Sequence, residues 1–390
     1  MTIARGDAVA LTRELVRIDS RNPTLVAGAP GEARVARALA AVLEAWGFRV
    51  ELRDAVPGRP NVIARIGHAR EGARSLMLNG HLDVVGVEGM VHPPWDAKER
   101  EGRLYGRGSS DMKGGVAAMC AAAARAVSAS GGTVDGELII AAVVDEEYSS
   151  LGTRALIAGG VRADAAIVTE PTRLAIMPAH KGFVWIDVVV QGRAAHGSRW
   201  EVGVDAIRHA GLLLAALDVV DGELLTGREH ALLGRPSLHA STISGGTGLS
   251  TYPDRCEFTI ERRTIPGEAT STVMAEIADA FDRVRARRPE LQATMSLVFE
   301  QPPSDVAIAA PIVRALDGAI RACGEEVNVT GMSAWTDAAI LNEAGIPAIC
   351  FGPGDIALAH AAEEYVRVDE VERATLVLAA LAMEWTRPGV

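Results

Sequence analysis

The chain has 390 residues, long enough for two domains rather than one. Hydrophobic residues make up 48% of it, which excludes a disordered chain, and 50 Asp plus Glu against 39 Lys plus Arg leave a formal charge of −11. No basic run interrupts that balance, so neither nucleic acid nor an anionic membrane is expected as a partner.

The opening "MTIARGDAVALTRELVRI" has no apolar signal core, and no uninterrupted apolar run reaches the ~18 residues of a membrane span. Next, "GEARVARALAAVLEAWGF" spaces Val35, Leu39, Val42, Leu43 and Trp46 as one helix face that stops at Gly47. The short apolar runs "NVIARI", "SLMLN", "ELIIAAVV" and "AAIVT" predict strands, with helical stretches between the last three, among them "GGVAAMCAAAARAVSA". That alternation predicts an open α/β sheet covered by helices on both faces. After His180 the pattern changes: "FVWIDVVVQG" alternates as a half-exposed strand, "GVDAIRHAGLLLAALDVV" is an amphipathic helix, and "RCEFTIERR" precedes another helix. These elements predict a small α+β module inserted at 181–298, with "FEQPPSD" marking the return to a larger domain made of 1–180 and 299–390. Cys120, Cys256, Cys323 and Cys350 lack CxxC spacing and fit buried thiols in a reducing compartment, which makes a cytoplasmic protein the expectation.

The polar residues fall at the strand ends. "SLMLNG" runs into His81 and Asp83, "ELIIAAVV" into Asp145, Glu146 and Glu147, and "AAIVT" into Glu170. In open α/β sheets the ligand crevice lies outside the carboxyl ends of the strands. Asp111 arrives from the Gly-rich "GRGSSDMKGG", which lacks the GxxxxGK[ST] pattern of a phosphate loop. His360 follows the flexible "GPG" of "FGPGDIALAHAAEEY". Carboxylates crowded at one rim repel one another, and one or two divalent cations remove the conflict. Two imidazoles and several carboxylates without thiolate suit Zn²⁺, with Co²⁺ or Mn²⁺ as alternatives. In a strand, residues i and i+2 share a face, so Asp83 is placed to steer His81.

These motifs resemble the co-catalytic zinc group of aminoacylase, acetylornithine deacetylase, succinyl-diaminopimelate desuccinylase and carboxypeptidase G. The matching stretches are "NGHLDVV", "HPPWDAKEREGRLYGRGSSDMKGG", "VDEEYSSLGT", "VTEPT", "GRAAHGSRWEVGVDAI", "IERRTIPGE", "WTDAAIL" and "FGPGDIALAHAAEEYV", in the family's order. The resemblance implies a zinc-aminopeptidase-like catalytic domain with a mixed sheet between helices, plus an inserted α+β lid and dimerisation domain. It implies one metal on His81, Asp111 and Glu170 and another on Asp111, Glu147 and His360, with Asp111 bridging. It further implies Glu146 as general base toward a metal-bridging water, Asp83 behind His81, and a cis peptide after Asp111. His196 would serve the oxyanion site, commonly from the partner subunit, which implies a homodimer through the lid domain.

Arg263, with Gly352 and Gly354 of "GPG", would meet the substrate carboxylate, although Arg263 as a surface ion-pair residue competes with that reading. Two departures bear on specificity. Ser250 stands where the family often has Asn, and Ala339 replaces the Arg of "TDAR", which weakens a strict succinyl-diaminopimelate assignment. His92 and His180 are expected beside the crevice, whereas His230 and His239 read as structural. The expected activity is hydrolysis of the amide of a small N-acyl amino acid. A dipeptidase or carboxypeptidase on the same scaffold, an N-carbamoyl amino acid hydrolase, and a non-catalytic binding protein are the alternatives.

Overall fold

In the computed structural model, which describes residues 3–68 and 70–388, the predicted apolar runs form strands of one mixed sheet. Arg49–Val56, Arg59–Gly67, Glu137–Val143, Leu76–His81, Ala165–Val168 and Ala348–Cys350 lie side by side in that order, followed by Ile176–His180. The four strands Glu137–Val143, Leu76–His81, Ala165–Val168 and Ala348–Cys350 are mutually parallel, so their carboxyl ends share one edge. The two outer strands that precede them pair antiparallel.

Burial explains the near-continuous apolar character of the central strands. Leu76, Leu78, Leu138, Ile140, Ala165 and Ile167 join a core built with the helices Ala8–Val16, Ala33–Ala45, Gly114–Ala129 and Val368–Trp385. The alternate residues Met77, Ile139 and Ala166 are buried as well, as expected of parallel strands covered on both faces. Helix Gly114–Ala129 is buried almost all round and packs against both Ala8–Val16 and Val368–Trp385. Its small side chains permit that approach. A Cβ at Gly115 would stand 1.9 Å from the carbonyl oxygen of Thr169, so only glycine lets this helix start against the strand end that leads to Glu170.

The chain divides into two compact units, one of residues 1–178, 306–330 and 336–390, the other of 179–305 and 331–335. The smaller unit is an antiparallel sheet in the order Ser237–Gly245, Arg255–Thr264, Gly182–Gln191, Gln292–Gln301. Val184, Ile186, Val188 and Val190 alternate inward from the Gly182–Gln191 strand onto helices Ala206–Val219 and Thr270–Arg285. This unit extends past the expected return near residue 299. The Gln292–Gln301 strand stays in register with Gly182–Gln191 to its last residue, Gln301 opposite Phe183. The unit also takes 331–335, where the indole N–H of Trp335 donates to the carbonyl of Pro302 at 3.0 Å. Among the described residues no helix is long and apolar enough to cross a membrane.

Candidate metal centre

The shared edge of the four parallel strands gathers the predicted polar residues. His81 is the last residue of Leu76–His81 and is 1% exposed. Its Nδ1 lies 2.9 Å from the main-chain carbonyl of Asp83, which can only accept, so Nδ1 carries a proton. Nε2 is thereby aimed into the carboxylates, 3.0 Å from Oδ1 of Asp111 and 3.9 Å from Oε2 of Glu146. Asp111 turns its other oxygen, Oδ2, toward Nε2 of His360 at 3.5 Å, and His360 lies 3.0 Å from Oε2 of Glu147. One carboxylate therefore faces two histidines, one with each oxygen. The Asp111–Met112 peptide is cis, as the resemblance implies, and Sδ of Met112 accepts the N–H of His81.

Crowding shows in the acid–base properties. Burial raises the Glu146 carboxyl well above the usual carboxylate range, opposed by the charge of His81 and assisted by those of Glu170, Asp337 and Glu147. Burial and the Asp111 charge push Glu147 up to about 7. The same two causes hold Glu170 well above its ordinary value. His360 is raised to about 9, chiefly by its hydrogen bond to Glu147. Burial opposes protonation of His81, yet Asp111, Glu146 and Asp83 together lift its pKa well above 6.5. Like charges packed this tightly are the situation a cation relieves.

The donor set fits a divalent metal on two further grounds. Ligand atoms of His81, Asp111 and Glu147, and likewise those of His81, Glu146 and Glu170, lie within 4.8 Å of one another. Oε1 of Glu147 and Oε1 of Glu170 are buried and make no hydrogen bond among the described residues. Buried carboxylate oxygens without a partner are costly, and coordination is what such atoms are suited to.

Asp83 departs from its expected part. Its carboxylate stands 3.7 Å from Nδ1 of His81, and the residue reaches the imidazole through its main chain instead. The strand ends at His81, so the i, i+2 face rule no longer applies beyond it. The Asp83 carboxylate instead accepts the N–H of Glu146 at 3.1 Å and of Glu147 at 3.2 Å, and the side-chain amide of Asn22 at 2.8 Å. Asn22 also donates to Asp145, whose φ of 65° starts the turn that carries the two glutamates. Arg59 pairs with Asp145 at 2.9 Å and with the buried Glu32.

The substrate-binding expectations fare differently. The N–H of Gly352 donates to Thr172 at 3.0 Å and that of Gly354 to Glu370 at 2.9 Å, so these amides are already engaged. Gly352 is needed for space, because a Cβ there would stand 2.5 Å from the carbonyl of Glu170. His196, Ser250 and Arg263 belong to the smaller unit. There the N–H of Gly197 donates to the carbonyl of Ser250 at 2.7 Å, and His196 bridges to Thr251. The main-chain N–H of Ser198 points at Nδ1 of His196 at 3.3 Å, which makes Nδ1 the acceptor and leaves Nε2–H as a donor on an exposed ring. Arg263 pairs with Glu261 at 2.8 Å and lies over the ring of Phe183. His180 ends its strand edge-on to Trp335.

Reading the sequence missed Asn22, Arg59 and Asp145 as supports of the glutamate turn. It also missed Asp337, a fully buried carboxyl raised to about 6 by burial against its Thr153 and Ser150 hydrogen bonds. Asp337 lies inside the quoted "WTDAAIL", and the acidic Asp145 directly precedes Glu146. Asn22 and Arg59 carry no comparable signal.

Residues 77–384 match the profile of peptidase family M20/M25/M40. An acetylornithine deacetylase of Myxococcus xanthus is 32% identical over 347 residues, which cover 86% of this chain and 88% of that protein. An N-formyl-4-amino-5-aminomethyl-2-methylpyrimidine deformylase of Bacillus subtilis strain 168 is 28% identical over 376 residues, covering 89% and 88%. Among solved structures, the YxeP protein of Bacillus subtilis, described as a dinuclear metal binding peptidase from the M20 family, superposes with a TM-score of 0.74 at 16% identity over 98% of each chain. The chain belongs to peptidase family M20/M25/M40 and is a metal-dependent amidohydrolase.

Proposed function

We propose that this enzyme removes the acyl group from a small N-acyl amino acid, using two divalent cations per chain. The observation that carries the dinuclear reading is Asp111, whose two oxygens face His81 at 3.0 Å and His360 at 3.5 Å. His81, Asp111 and Glu170 would hold one cation, and Asp111, Glu147 and His360 the other. The imidazole and carboxylate donors suit Zn²⁺, with Co²⁺ or Mn²⁺ as substitutes. When bound, the cations supply Lewis acidity, which activates water and polarises the amide carbonyl.

Glu146 is the proton carrier. Its carboxyl group is buried beside Glu147, Glu170 and Asp337, and its raised pKa suits both taking a proton from the attacking water and returning it to the departing amine nitrogen. Asp83 holds the main chain of Glu146 in place. Nε2–H of His196 of the partner subunit would donate to the oxyanion. A homodimer through the smaller unit belongs to the same reading. Its support is the edge strand Ser237–Gly245, whose outer half is exposed and includes Ile243. A cytoplasmic location is supported by four free cysteines.

The deacylase reading rests on the 32% identical acetylornithine deacetylase. Ala339, buried and uncharged, supplies no cation for a second substrate carboxylate. A dipeptidase is the second reading, favoured by the structural likeness to a dinuclear peptidase. A turnover panel of N-acetyl amino acids, dipeptides and N-carbamoyl amino acids separates them. The expected result is hydrolysis of N-acetyl amino acids that falls about 10²–10⁴-fold in Glu146→Gln with bound metal retained. Exclusive cleavage of dipeptides, or ammonia release from carbamoyl substrates alone, would overturn the deacylase reading.

A further inference from the structure

Glu364 follows His360 closely in the chain, and among the described residues its carboxylate hydrogen bonds go to none of the side chains of the candidate centre. It is fully buried, and its carboxylate hydrogen bonds run to the loop that carries Asp111. Oε1 accepts the main-chain N–H of Ser110 at 3.0 Å and of Asp111 at 3.2 Å. Oε2 accepts the N–H of Gly108 at 3.1 Å and the guanidinium of Arg107 at 2.7 Å. Arg107, buried too, continues to the carbonyl of Gly86 at 2.9 Å and to that of Ala361, next to His360, at 3.4 Å. A short ladder leads into this clamp from both sides: Tyr365–Arg367 pairs with Arg103–Tyr105, and the N–H of Gly106 donates to the carbonyl of Glu364.

Three main-chain donors and one cation thus converge on a single carboxylate. Only an ionised carboxylate has the lone pairs to accept all four, and an amide in its place would turn an N–H toward other N–H groups. The clamp joins the loops of two ligands just beyond the short ladder that pairs Tyr365–Arg367 with Arg103–Tyr105. We propose that Glu364 is a positioning residue which, with Arg107, sets the spacing between Asp111 and His360 and so tunes the affinity of the cation that these two residues share with Glu147. Outer partners of this kind change metal affinity by roughly 10- to 100-fold when removed. The inference rests on the dinuclear reading proposed above.

The test is a stepwise Zn²⁺ titration of the metal-free full-length protein against a chelating dye, with wild type and Glu364→Gln in parallel. Glu268→Gln is the control. Glu268 is another buried carboxylate, paired with Arg228 and Arg262 in the smaller unit. For Glu364→Gln the expectation is a weaker step falling about 10- to 100-fold in affinity while the tighter step moves much less. Glu268→Gln should leave both steps unchanged. Should Glu364→Gln not fold, Arg107→Gln keeps the three main-chain bonds and is expected to show the same selective loss. Two unchanged zinc steps would overturn the proposal. So would a loss shared equally by both steps and matched by the control, which is what a merely structural ion pair would give. If wild type itself binds no second zinc, the dinuclear reading fails first and the proposal falls with it.

Discussion

His81 and Asp83 stand two positions apart and divide their work differently from what strand geometry suggests. His81 is held by a main-chain carbonyl, and the Asp83 carboxylate is spent on the N–H groups of Glu146 and Glu147. Removing the carboxylate should therefore disturb proton transfer before metal binding. Asp83→Asn is expected to lower turnover about 10- to 100-fold with metal retained, whereas His81→Ala should lose metal outright. Metal content and turnover measured on the same samples decide the matter. Equal metal loss in both variants would mean that the carboxylate steers His81 after all.

At the scale of elements, the centre depends on parallel strands that deliver polar residues to one edge, and this much is written in the sequence. Apolar runs ending in His81, Asp145–Glu147 and Glu170 mark both the strands and their rim, because a doubly covered strand must be apolar until it leaves the sheet. The supports of the loops are less legible. Asn22 and Arg59 lie far from Asp145 in sequence and sit in no periodic pattern, so only the folded chain brings them together. The end of the smaller unit is partly legible, since the prolines of "FEQPPSD" follow the last strand residue, Gln301, directly, whereas nothing in the sequence signals that 331–335 joins the same unit. Arg59 supports the glutamate turn from the strand Arg59–Gly67, with Glu32 and Asp145 both fully buried beneath it. Arg59→Leu leaves two buried carboxylates without their cation and is expected to cost about 3–5 kcal/mol in denaturant unfolding. A loss below about 1 kcal/mol would show that the network is not needed to hold the turn.

Over the whole molecule, pH links folding to groups outside the centre. Burial lowers His180 to about 4, and its Nε2 has no hydrogen-bond partner among the described residues. The unfolded chain, with an ordinary histidine pKa of about 6.5, binds the proton that the folded protein refuses. Stability from this group is therefore complete above pH ~6.5 and is lost as the pH falls toward the folded value, by up to about 3 kcal/mol. His180→Leu should flatten that acid limb of the denaturant midpoint, and an unchanged limb would assign the loss to other groups.

The central claim is that His81, Asp111, Glu147, Glu170 and His360 together form a dinuclear centre. Elemental analysis of the zinc-reconstituted protein, after removal of loosely held metal, tests it most directly. Two zinc ions per chain are predicted for the wild type, falling to one or fewer when Asp111 is replaced by Ala. One zinc or fewer per wild-type chain would contradict the account.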